Sequence, residues 1–139
     1  MDTRSLVSVD DIQLGQQVLD ALSADAALRV HAVLWWFDET QQQWLYAVST
    51  PVSEERGLQA AYLRIRKALE SHDLLSRLPL DRVWVIDDRH PVLDLVRATF
   101  GEPQNSSYVS CVVNGTLLPD LYIYKIEKRR SRPRKRSKS

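Results

Sequence analysis

At 139 residues, 44% of them hydrophobic, the chain holds material for about one domain with a substantial core. No apolar run approaches the roughly 20 residues needed to span a bilayer, so membrane insertion is not expected. Nineteen Lys and Arg against eighteen Asp and Glu make it nearly neutral, but the two signs are segregated, as the C-terminus shows below. The opening stretch MDTRSLVSVDD has no apolar h-region and carries acids early, which argues against a secretory signal. One cysteine, Cys111, suits a reducing compartment. The expected location is cytoplasmic, or nuclear for a eukaryotic source.

Residues 1–7 read as a flexible N-terminus. Ser8 and Asp11 form an S-x-x-D start signal before Ile12, Val18, Leu19 and Leu22, predicting a first helix that ends near Ser23 to Ala27. Gly15 is an unfavourable residue in its interior. Arg29 to Asp38 then carries apolar side chains on both alternating faces, which predicts a central strand covered on both sides. The polar break Glu39 to Gln43 turns it into a partner strand, Trp44 to Thr50.

Pro51 stops pairing. Ser53 to Arg56 reads as a solvated helix start, with no chemistry assigned to it. Leu58, Ala61, Tyr62, Ile65, Ala68 and Leu69 make one apolar stripe and so a second helix. Arg82 to Ile86 predicts a short buried strand. Pro91 at a first helical position and Gly101 as a stop bracket a third helix.

Two strands, Ser107 to Val113 and Thr116 to Ile126, flank Asn114-Gly115, a strong hairpin signal because both turn positions need positive φ. Pro119 predicts that the last strand is an edge strand or is bulged there. The expected order is α-β-β-α-β-α-β-β, a mixed α/β domain over residues 8–127 with a five-stranded sheet.

Residues 128–139 (KRRSRPRKRSKS) contain Lys128, Arg129, Arg130, Arg132, Arg134, Lys135, Arg136 and Lys138, with no acid and no aromatic or long apolar residue. Without them the chain keeps 11 basic against 18 acidic residues, a body near −7 carrying an arm of +8. Such a segment cannot bury enough apolar surface to order itself alone. It suits phosphate neutralisation with counterion release and little sequence preference, so all eight cations are expected nucleic-acid contacts. An anionic membrane surface, an import receptor and an acidic protein, including this body, are competing partners. Lack of aromatic and long apolar groups argues against membrane insertion and base stacking by the arm.

Catalytic signals in the body are sparse. Asp87, Asp88 and His90 follow a buried strand and precede a helix, a place where α/β sheets bind ligands, and are the weak candidates for metal binding or acid–base chemistry. The plainer alternative has one of them capping the helix while the others face water. An acid-strand-lysine nuclease site is rejected, because Glu127-Lys128 and Asp120 near Lys125 have the wrong spacing. Four glycines, at 15, 57, 101 and 115, form no phosphate-cradling or nucleophile-elbow motif.

Cys111, expected mid-strand, reads as an inert small apolar residue. His31 reads as a core or sheet-face histidine and His72 as a helix-end residue. Trp35, Trp36, Phe37, Trp44 and Tyr46 on one hairpin, with Tyr108, Tyr122 and Tyr124 on another, suggest core packing first and a dimerisation patch second. No cofactor is implied. The expectation is a non-enzymatic accessory protein. Its arm binds nucleic acid while the acidic body contacts a protein partner or itself. The alternatives are an assembly module docking on an acidic partner, and a metal-dependent hydrolase at Asp87, Asp88 and His90.

Overall fold

Ser8 accepts a hydrogen bond from the Asp11 amide and starts helix α1 (Val9–Ser23), as the capping signal predicts. The structure, a computed structural model, describes residues 7–127. The basic arm and the first six residues lie outside them. Val7, at the expected boundary of the N-terminal segment, is buried in the core.

Strands β1 (Ala32–Asp38) and β2 (Gln43–Ser49) pair antiparallel in continuous register from Ala32–Ser49 to Asp38–Gln43. Helix α2 (Val52–Arg56) is a single turn, and Gly57 at φ +96° breaks it from α3 (Leu58–Ser71). A 3-10 turn (Leu80–Arg82) leads into β3 (Val83–Val85), which pairs parallel with β2. Then come α4 (Pro91–Phe100), β4 (Gln104–Tyr108), a small ladder of β5 (Val112–Val113) with β6 (Thr116–Leu117), and β7 (Leu121–Ile126).

The main sheet is mixed and five-stranded, in the order β3-β2-β1-β7-β4. Its faces follow strand alternation. Val33, Trp35, Phe37, Tyr46 and Val48 meet Leu14, Val18 and Leu22 of α1 and Ala61, Ile65 and Leu69 of α3. On the other face Ala32, Leu34, Ala47, Leu121 and Ile123 meet Leu93 and Val96 of α4 and Val113 and Leu118 of the small ladder. Residues 7–127 are therefore one mixed α/β unit of three layers.

The C-terminal third departs in detail from the expected pair of long strands. Asn114 (φ +50°) and Gly115 (φ +76°) do make the tight turn, but each arm pairs for only two residues. Ser110 at φ +52° turns the first arm away, its amide bonded to the Asp120 carboxylate, so Cys111 lies half-buried outside any strand. Pro119 falls between β6 and β7, leaving β7 unbroken there and interior, between β1 and β4. The irregularity comes later: Val33 faces Lys125 while Leu34 faces Ile123, so Tyr124 is an extra residue. This bulge puts Ile123 and Ile126 in the same core cluster and re-aims Tyr124 and Lys125.

The aromatic residues are chiefly core. Trp35 and Tyr46 are fully buried and meet edge to face at 5.1 Å. Trp36, Trp84 and His90 form a half-buried cluster on the α4 face of the sheet, with centroids 4.9 to 5.8 Å apart.

Candidate functional site

The two parallel strands, β2 and β3, end on the same side of the molecule, where β1 begins and β7 stops. His31 joins these ends: its amide donates to the Ser49 carbonyl (2.8 Å) and its carbonyl accepts from the Glu127 amide (2.8 Å). A polar cleft of about 740 Å³ opens there. Its walls are the α1–β1 connection, Thr50 and Pro51 with Glu54 and Glu55, Asp88 with Arg89, and Lys125 with Glu127. A crevice at the carboxyl ends of parallel strands is a common ligand position in α/β sheets, and this volume falls in the usual range for such sites.

The walls are cross-tied. The buried Thr50 hydroxyl donates to the Leu28 carbonyl and accepts from the Val52 amide, joining the α1–β1 connection to α2. Arg29, at φ +46°, reaches the Glu55 carboxylate with one guanidinium nitrogen at 3.1 and 3.2 Å. Asp25 accepts two hydrogen bonds from Arg64, which holds its carboxyl below the usual range. Lys125, delivered by the bulge, pairs with Glu127 at 3.0 Å. Among the described residues neither the Glu54 carboxylate nor the His31 ring has a hydrogen-bond or ionic partner.

Of the three residues singled out after β3, only Asp88 lines this cleft. Its Oδ1 accepts from Arg97 Nη2 at 2.6 Å and from the Ser49 hydroxyl at 3.0 Å. Arg97 also donates to the Asp88 carbonyl (2.8 Å) and to the Glu127 carbonyl (2.9 Å). The pair is largely buried, with side-chain exposures of 9% for Arg97 and 12% for Asp88. Asp87 instead accepts from the Arg89 amide, closing a local turn. His90 is the N-cap of α4: its Nδ1 accepts from the Val92 amide while the ring packs on Trp36 and Trp84.

These three side chains thus turn to three separate partners. Among the described residues no group of three or more His, Cys, Asp or Glu side chains is placed to hold a metal ion. His72 caps α3, its ring bonded to the Ala68 carbonyl.

Sequence reasoning missed Arg97, Lys125 and the two glutamates. Arg97 left one signal: four residues after Leu93 and next to Val96, it falls on the buried stripe of α4. Glu54 and Glu55 lie in the segment to which no chemistry was assigned, and nothing local distinguishes them from solvated acids.

No protein-family model, curated protein or solved structure matches the chain. Fold and site define a three-layer α/β unit with a polar crevice at its parallel-strand end. Among the described residues no helix is long and apolar enough to cross a membrane.

Proposed function

We propose that this protein is an accessory module that attaches to nucleic acid through residues 128–139 while its acidic body contacts a protein partner or a second copy. One observation carries the reading. The last twelve residues hold eight of the nineteen cations and no acid, whereas the rest of the chain has 11 basic against 18 acidic residues. A net-negative body is repelled by phosphates at most approaches, so attachment falls to the arm. The role is tethering rather than sequence reading.

The test compares the full chain with a 1–127 truncation on duplex DNA and on RNA across a salt series. With about six cations engaged, log K for the full chain falls with log[salt] at a slope near −5. The truncation loses binding. Equal binding by the truncation overturns the reading. Capture of an acidic protein by the full chain after nuclease treatment, with no retention of nucleic acid, replaces it with the docking alternative.

A further inference from the structure

We propose that the cleft beside the end of β7 is an intramolecular seat for the basic segment 128–139, so that the body's own carboxylates compete with polyanions for the arm. The inference rests on the tethering reading and adds its regulation.

The first argument is connectivity. Glu127, the last described residue, is itself part of the cleft wall, and Lys128 follows it directly. Twelve residues reach at most about 40 Å, so each of them stays within that distance of the cleft. Tethering of this kind gives an effective concentration of order a millimolar, which turns weak contacts into a populated state.

The second is charge. Asp25 and Asp88 are not available, since Arg64 and Arg97 hold them. Glu54 has no partner among the described residues, and Glu55 is held only by Arg29 in a pair whose two side chains are each 56% exposed. Exposed pairs of this type are weak and exchange readily. Arg29, Arg89 and Lys125 offset the wall acids locally, so the attraction comes from Glu54, from partner exchange at Glu55 and Glu127, and from the surplus of seven acids over residues 1–127. The arm brings five arginines, whose planar forks match carboxylates two bonds at a time.

The third is space. A volume of about 740 Å³ admits several side chains of a peptide rather than a single ion. Polyanion binding then requires the arm to leave its seat, and apparent affinity falls by the fraction of molecules whose arm is free. A dense phosphate array displaces the arm; a sparse one does not.

The test uses the full chain with Glu54→Gln and Glu55→Gln together. A control pair, Asp73→Asn with Asp81→Asn, makes the same charge change at exposed positions outside the cleft. The cleft pair is expected to tighten duplex binding about threefold to tenfold more than the control pair, the range for an arm seated in most molecules. The difference should vanish at high salt. Equal effects from both pairs overturn the proposal.

A second measurement needs no nucleic acid. The synthetic peptide 128–139 is titrated into the 1–127 truncation, which retains both core clusters, and backbone amide resonances are followed. Shifts concentrated at Thr50, Glu54, Arg89 and Lys125 support the seat; shifts scattered over the acidic surface overturn it. A chain that seats the peptide but binds no polyanion refutes the tethering reading alone.

Discussion

Tyr124 ties helix α1 to the sheet beneath its apolar face. Its hydroxyl accepts from Trp35 Nε1 (3.0 Å) and donates to the Ile12 carbonyl (2.6 Å), while Tyr46 donates to the Gly15 carbonyl (2.7 Å). A Cβ on Gly15 would lie 2.0 Å from the Tyr124 oxygen. The glycine that looked unfavourable inside a helix is therefore what admits the Tyr124 ring to the helix backbone. Gly15→Ala should lose about 1–3 kcal/mol from overpacking, more than the gain of up to about 1 kcal/mol in helix propensity. Urea denaturation measures the net loss, and a stabilised variant would contradict this packing. Burial pushes both phenols above their ordinary range. A raised acid favours the neutral form in the fold, so its contribution is intact below the unfolded value and declines as the unfolded chain ionises above about pH 10. Alkaline unfolding should start there, and Tyr46→Phe should shift the midpoint upward relative to its own stability at pH 7.

Besides the apolar packing of Leu93 and Val96 with Leu121, Ile123 and Ile126, one polar side chain ties helix α4 to the end of β7. Arg97 binds the Asp88 carboxylate, the Asp88 carbonyl and the Glu127 carbonyl, so it fixes both the β3–α4 connection and the point from which residues 128–139 continue. Removing one partner from a buried pair leaves an uncompensated charge, and Arg97→Ala should cost about 3–5 kcal/mol. Asp88→Asn keeps a neutral acceptor and should cost less, about 1–3 kcal/mol. Arg97→Lys should recover little, because one ammonium does not reproduce the planar fork. Thermal melts with and without divalent ions check these values. Asp88 accepts from Arg97 and Ser49, and an ion-dependent shift lost in Asp88→Asn would show a ligand role as well. The position of Asp87, Asp88 and His90 between β3 and α4 was legible, because a buried run, Pro91 and Gly101 mark both boundaries. Their partners were not, since Arg97 and Ser49 lie 9 and 39 residues away from Asp88.

At the scale of the molecule, α1, α3, α4 and the main sheet supply both core clusters of the described residues. The 1–127 truncation should melt within about 1 °C to 2 °C of the full chain at moderate salt, since residues 128–139 offer no aromatic or long apolar side chain to bury. At low salt the full chain should melt slightly higher if the arm rests on the acidic body, and that increment should disappear as added salt screens it. A large loss of stability on truncation would mean that residues 128–139 belong to the fold.

Composition and periodicity determined that this chain makes one mixed α/β unit with a five-stranded sheet, and that its cations are concentrated at the C-terminus. Those properties depend on local alternation, turn chemistry and charge counts, which are written along the chain. Tertiary structure alone decided the strand order, the bulge at Tyr124, the partners of Arg97 and the convergence of four distant segments on one cleft. Each of these depends on groups far apart in sequence competing for the same space or the same hydrogen-bonding atoms, and local pattern carries no record of which of them meets.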